Sequence, residues 1–174
     1  FRGRTYGNKE EYDRGLEDLD KAIRLAPEVA GYRHIRGCIH AEKGDLDKAV
    51  GDFDQAVALA PEVGTYRHSL GYVYAEKEDF DNAIANYGHA IDLDPKDATF
   101  RFWRGRAYGK ISKLDEAIGD YSNAIALDPM DATYRYWRGM AYEEKLNFNE
   151  AIGDYDTAIN LDPENADYRF SRGV

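Results

Sequence analysis

The chain has 174 residues, a formal net charge of −10 and a sequence pI of about 4.9. This acidic balance argues against nucleic-acid phosphates as the main partner, since such binding depends on a basic surface. The single cysteine, Cys38, excludes an internal disulfide framework and leaves a reducing cytoplasm as the default location. No apolar run is long enough to span a bilayer, which argues against a membrane partner.

A fixed period runs along the whole sequence. All five prolines, at positions 27, 61, 95, 129 and 163, are 34 residues apart. A period of this length is typical of stacked helical repeats and not of a single closed core. On the same spacing, glycine and alanine each occupy one recurring position: Gly3, Gly37, Gly71, Gly105, Gly139 and Gly173, and Ala22, Ala56, Ala90, Ala124 and Ala158.

Each copy of the repeat predicts two helices, as the copy at 132–165 illustrates. Apolar residues recur at helical spacing from Ala132 to about Lys145, and again from Asn149 to about Leu161. The recurring proline cannot continue the second helix and marks its end. Residues expected to cap the start of the second helices are Asp13, Asp47, Asp81, Asp115 and Asn149.

The repeat resembles the tetratricopeptide repeat (TPR) in its period and in the residues Gly139, Tyr142, Ala151, Tyr155, Ala158 and Pro163. This resemblance implies an all-α fold, a right-handed superhelical solenoid of antiparallel helix pairs. We predict one array, with a partial repeat at 1–29, full repeats at 30–63, 64–97, 98–131 and 132–165, and a partial repeat at 166–174. Because the chain begins and ends within helices, we expect it to be a fragment of a longer protein.

An arginine precedes the recurring glycine at five of six positions, and Leu70 is the exception. Sixteen residues later an aspartate recurs, except that Asn86 follows Leu70. Because charge is lost at both places together, we predict ion pairs between the two helices of a repeat: Arg36 with Asp52, Arg104 with Asp120, and Arg138 with Asp154. A second set of arginines recurs without an identifiable partner: Arg33, Arg67, Arg101, Arg135 and Arg169.

The junctions between repeats are of two kinds. The later junctions supply Asp97, Asp131 or Asn165 as the cap of the next helix, whereas the earlier ones supply Val29 or Val63. A missing cap costs on the order of 1 kcal/mol. We therefore expect the N-terminal half to be the more mobile half.

In the resembling family the first helices line the concave face of the superhelix. The matching positions include both tryptophans of the chain, which would form an aromatic floor suited to a peptide or partner helix. The alternative is that these aromatic residues fill the space between neighbouring helices. The predicted binding residues are His34, His68, Tyr72, Phe102, Trp103, Arg106, Lys110, Tyr136, Trp137 and Met140.

Catalysis, cofactors and metals find little support in the sequence. The acidic residues occupy repeated positions that caps and ion pairs explain, and the glycines lie inside helices, not in a phosphate-binding loop. His34 and His68 lack a third metal ligand, and we interpret Cys38 as a packing residue. The Lys and Asn clamp by which some TPR proteins hold a terminal carboxylate is absent at the matching positions.

Three functions therefore remain open. The first is a non-catalytic protein-interaction module that binds a peptide or partner helix in the concave groove. The second is a structural scaffold that self-associates through the ends of the array. The third is a regulatory region of a larger enzyme.

Overall fold

The computed structural model describes residues 9–173, and these residues form ten α-helices and no strand. Residues Arg2, Gly3 and Val174 lie outside the described range. The helices are α1 (Lys9–Leu25), α2 (Ala30–Glu42), α3 (Leu46–Leu59), α4 (Gly64–Glu76), α5 (Phe80–Leu93), α6 (Ala98–Lys110), α7 (Leu114–Leu127), α8 (Ala132–Glu144), α9 (Phe148–Leu161) and α10 (Ala166–Gly173). The all-α solenoid expected from the sequence is confirmed.

The helices associate as hairpins, α2 with α3, α4 with α5, α6 with α7 and α8 with α9. Each second helix also packs against the first helix of the next hairpin. The interior is a series of small linked clusters, one of which joins Phe102, Tyr121 and Tyr134. The second helices contribute alanines with no exposed surface to this interior: Ala49, Ala56, Ala83, Ala90, Ala117, Ala124 and Ala158.

The turn inside each hairpin contains one residue in the left-handed region, Gly44 at φ 82°, Glu78 at 60°, Ser112 at 56° and Leu146 at 62°. In the first of these turns the Asp45 amide donates to the His40 carbonyl, and the Gly44 amide donates to the Ala41 carbonyl. This pattern satisfies carbonyl groups at the end of α2 and reverses the chain within three residues.

The expected caps of the second helices are wrong by two positions. The residues before α3, α5, α7 and α9 are Asp45, Asp79, Lys113 and Asn147. The residues that we expected to cap, Asp47, Asp81, Asp115 and Asn149, therefore lie inside the first turn, and Asp13 lies within α1.

Three of these aspartates bind a lysine of the following hairpin instead. Lys43 Nζ lies 2.6 Å from Asp13 Oδ1, and Lys77 and Lys145 make the same contact with Asp47 and Asp115. These ion pairs join neighbouring hairpins at the surface, where each contributes little to stability.

The two kinds of junction are confirmed. Asp97 and Asp131 accept hydrogen bonds from the Thr99 and Thr133 amides at 2.7 and 2.8 Å, and Asn165 accepts one from the Asp167 amide at 3.1 Å. Val29 and Val63 make no side-chain cap.

We predict that Asp97→Ala lowers the free energy of unfolding by about 1 kcal/mol, because the first amides of α6 lose their acceptor. Amide exchange should be faster in the first turn of α6 in this variant. In the unmodified chain, the first turns of α2 and α4 should exchange faster than those of α6 and α8. Equal protection at all four helix starts would contradict the predicted difference in mobility.

Candidate partner-binding surface

The first helices of the hairpins lie on the inner side of the curve. Helix α2 contacts α4, α4 contacts α6, and α6 contacts α8. The described second helices make no comparable set of contacts with one another. Since elements on the inside of a curved stack are closer together, the first helices line the concave surface.

Ion pairs between the two helices of a hairpin hold these first helices in place, as predicted. Asp52, Asp120 and Asp154 are buried, and each accepts two hydrogen bonds from an arginine on the first helix, Arg36, Arg104 or Arg138, at 2.5–2.8 Å. The hydrogen bond to Asp120 raises the pKa of Arg104, and burial lowers that pKa by a smaller amount. In the hairpin without the pair, Leu70 and Asn86 are both buried.

Three arginines of the second set bind main-chain carbonyl groups. Arg33, Arg101 and Arg169 donate to the carbonyl six residues earlier, that of Pro27, Pro95 or Pro163, at 3.1–3.4 Å. Arg67 instead lies 3.4 Å from Asn86 Oδ1. Sequence reasoning missed these contacts because a main-chain acceptor leaves no trace in the residue pattern.

Aromatic residues of α4, α6 and α8 form the centre of the concave surface. The Trp103 ring packs edge-to-face with the rings of Tyr72 and Phe102, with ring centres 5.6 and 5.5 Å apart, and the centre of the Phe102 ring lies 6.4 Å from that of Trp137. Phe102 is only 8% exposed, so it mainly fills space between α6 and α8. Trp103 and Trp137 are half-buried, and part of each ring remains accessible.

Arg106 lies between the two tryptophans. Its guanidinium carbon is 4.9 Å from the centre of the Trp103 ring and 4.3 Å from that of Trp137. A guanidinium stacked on aromatic faces loses conformational freedom while its edge can still donate hydrogen bonds. We call Trp103, Arg106 and Trp137 the arginine sandwich.

The remaining predicted residues surround this centre. Tyr136 packs against Tyr168 at 4.9 Å, while Met140 is 37% exposed, and Lys110 is exposed at the end of α6. His34 Nε2 lies 2.9 Å from Ser69 Oγ. His68 is enclosed by rings, 5.3 Å from Phe100 and 5.6 Å from Tyr87.

Neither a metal centre nor a reactive thiol emerges from these side chains. Within residues 9–173 no group of three or more His, Cys, Asp or Glu side chains is arranged to hold a metal ion. Cys38 Sγ lies 3.9 Å from His34 Nε2, but burial, together with Glu42, raises the pKa of Cys38 and so disfavours the nucleophilic thiolate.

Burial lowers the pKa of His68 to about 4, against the opposing effect of Asp97. Between about pH 6.5 and 4 the unfolded chain therefore binds a proton that the folded chain excludes, and stability falls as the pH is lowered through that range. We predict that His68→Phe, which introduces the residue found one repeat later at position 102, reduces this pH-dependent loss of stability by about 2 kcal/mol. The free energy of unfolding of both proteins is measured with urea at pH 7.0 and pH 4.5. Equal pH dependence of both proteins would contradict the prediction.

None of the helices in the described part of the chain is long and apolar enough to cross a membrane. No curated protein sequence gives a significant match to the chain. The crystal structure of YrrB, described as a TPR protein with an unusual peptide-binding site, is similar over 95% of this chain and 85% of that one, with 26% identity and a TM-score of 0.81.

The crystal structure of MamA has the same fold, with 22% identity, a TM-score of 0.84 and coverage of 92% of this chain and 94% of that one. A MamA structure from Desulfovibrio magneticus covers 89% and 88% of the two chains, with 21% identity and a TM-score of 0.82. Models of the family match residues 71–112 and 110–145 as TPR repeat and residues 2–63 and 132–165 as tetratricopeptide repeat. The chain therefore belongs to the tetratricopeptide repeat family.

Proposed function

We propose that this chain is a non-catalytic protein-interaction module that binds a peptide or a partner helix on its concave surface. The observation that carries the proposal is the arginine sandwich, which combines two large aromatic rings and an arginine at the centre of that surface. These residue types dominate binding energy at protein interfaces. A related TPR protein of known structure, YrrB, is described as having a peptide-binding site, which supports a peptide as the ligand class.

Accessible apolar groups on the first helices favour a ligand with an apolar anchor. Met140 is 37% exposed and Ile35 is 51% exposed, and both lie on first helices. The packing of Phe102 and Tyr136 keeps the floor rigid, which reduces the ordering cost of binding. One aromatic set therefore both fills the space between helices and supports a binding surface.

The test is a screen of a random peptide library by tryptophan fluorescence. Both tryptophans belong to the sandwich, so a bound peptide should change the emission saturably. Trp103→Ala should weaken binding at least tenfold, as expected for the loss of a central aromatic contact. Phe148→Ala is the matched control, because Phe148 is an exposed aromatic residue on a second helix, and its removal should leave the affinity unchanged. Equal weakening by both variants, or no saturable change with any peptide, would rule the proposal out.

Self-association is the second candidate, and exposed apolar side chains in the last part of the array favour it. Leu146, Phe148 and Phe170 are 72%, 56% and 73% exposed. Light scattering over a range of protein concentrations distinguishes the two functions. Growth in mass that Phe170→Glu abolishes would support a scaffold, whereas a constant monomer mass would leave the interaction module.

A further inference from the structure

Among the first helices within residues 9–173, Arg106 and Arg135 are the arginines that have neither an ion pair nor a hydrogen-bond acceptor, and of these two Arg106 lies over the tryptophan rings. Arg36, Arg104 and Arg138 bind buried aspartates, and Arg101, on the same helix as Arg106, donates to a main-chain carbonyl. Within residues 9–173 no ion pair includes Arg106, and its buried Nε atom has no hydrogen-bond partner. Its guanidinium carbon lies over the rings of Trp103 and Trp137, and a carboxylate binds a guanidinium in its plane, at the N–H groups of its edge.

Two further buried polar atoms without hydrogen-bond partners belong to residues that pack near Trp103. The Tyr87 side chain has no exposed surface and its hydroxyl has no hydrogen-bond partner, and the same holds for Nε2 of His68. The His68 ring lies 5.6 Å from that of Tyr87 and 6.2 Å from that of Trp103.

Unsatisfied buried donors are rare in folded proteins because each costs free energy. An acceptor bound to the unpaired guanidinium of Arg106 therefore gains more than one bound to an arginine that already has a partner, such as Arg104. A carboxylate suits Arg106 best, because its two oxygens match two parallel N–H groups of a guanidinium.

Acidic residues limit how many carboxylates this surface can accept. Glu42, Glu76 and Glu144 are exposed on the same first helices, and the chain carries a net charge of −10. Arg106 and Lys110 on α6 oppose these charges locally, but a strongly acidic ligand that runs along the first helices would be repelled by the glutamates. The arrangement therefore favours one acid in an otherwise uncharged segment over a run of acids.

We propose that the edge of Arg106 in the arginine sandwich binds the carboxylate of a single Asp or Glu side chain, carried by an otherwise uncharged segment of a partner protein. This inference rests on the proposed function, since the segment is the ligand of the concave surface. The source of the carboxylate is a side chain within the segment and not the end of a polypeptide.

The experiment uses three arrays of acetylated dodecapeptides with uncharged residues at the randomised positions. The first array has a central Glu and an amidated C-terminus, and the second has Gln in its place. The third has the central Gln and a free C-terminal carboxylate. The unmodified chain should retain its best Glu peptides roughly ten to a hundred times more strongly than their Gln counterparts, as expected for a hydrogen-bonded charge.

Two matched variants assign this preference to Arg106. Arg106→Met places the residue found one repeat later at position 140, and Lys96→Met places the residue found at position 130. Both remove one positive charge, but Lys96 is exposed in the turn before α6, away from the sandwich. Arg106→Met should retain Glu and Gln peptides equally, while Lys96→Met keeps the preference.

Three results would overturn the inference. Equal retention of Glu and Gln peptides by the unmodified chain would contradict the carboxylate site but not the proposed peptide binding. Equal retention of the free-carboxylate array would assign the site to a chain terminus. No retention of any array would remove both this inference and the proposed function. The Glu and Gln comparison on the unmodified chain needs no variant, so it stands even if Arg106→Met fails to fold.

Discussion

Asp120→Asn should lower the free energy of unfolding by about 2 to 3 kcal/mol, since removing one member of a buried ion pair leaves the other charge without compensation. Asp120 is 4% exposed and accepts hydrogen bonds from Nε and Nη2 of Arg104 at 2.7 and 2.8 Å. The partial exposure of Arg104 limits the loss, because the guanidinium can still reach water. Urea unfolding followed by tryptophan fluorescence measures the effect, since Trp103 is the neighbour of Arg104 in the chain.

The chain itself provides the control for this prediction. Leu70 and Asn86 occupy the equivalent positions one repeat earlier and are both buried, so the fold tolerates an uncharged pair there. The double variant Arg104→Leu with Asp120→Asn should recover most of the lost stability, because an uncharged pair of similar volume often replaces a buried ion pair without loss. A double variant no more stable than Asp120→Asn alone would show that the aspartate acts through some other contact.

The Arg–Asp pairs could be predicted because the repeats act as internal comparisons. Loss of the arginine at Leu70 coincides with loss of the aspartate at Asn86, and this coincidence predicts which residues pair. A similar signal was present for the lysine ion pairs and was missed. Lys43, Lys77 and Lys145 each follow their aspartate by 30 residues, and the series is broken only at Ile111.

The helix caps show what the period alone leaves undetermined. A repeat tells which residues are equivalent, but not which of two neighbouring polar positions begins the helix. Asp45 and Asp47 both fit the pattern, and the left-handed residue at position 44 sets the start at Asp45. This turn carries a glycine only at Gly44, and Glu78, Ser112 and Leu146 take its place in the later hairpins. Because no residue type recurs at this position, the sequence does not predict its left-handed backbone conformation.

The arginine sandwich could be anticipated only in part. The resemblance to the family placed Trp103, Arg106 and Trp137 on the concave side. The stacking depends on side-chain directions between two successive hairpins, and no other full repeat offers a comparison, because in the other full repeats the residues equivalent to Arg106 are Cys38, Tyr72 and Met140. A contact that does not recur cannot be predicted by comparing one repeat with another. Such contacts are the ones that make the binding surface of one array different from that of another.

Gly139→Ala should lower the free energy of unfolding by about 2 kcal/mol, because a methyl group at this recurring glycine would overpack the contact between the two helices. A Cβ atom at Gly139 would lie 2.7 Å from Cε1 and 2.9 Å from Cδ1 of Tyr155. The Tyr155 ring is 2% exposed, and its hydroxyl donates to Glu143 Oε2 at 2.6 Å, so the ring cannot move away without losing that hydrogen bond. Thermal unfolding followed by circular dichroism measures the loss.

Gly153→Ala is the matched control, because it makes the same chemical change in the middle of a helix of the same hairpin. A Cβ atom at Gly153 would meet nothing within 4 Å. Alanine is the better helix former by about 1 kcal/mol, so Gly153→Ala should raise stability by up to that amount while Gly139→Ala lowers it. Opposite signs would show that the recurring glycine is required by the close approach of the tyrosine ring. Stabilisation by both substitutions would mean that the ring shifts freely, and that the recurring glycine does not limit how closely the two helices pack.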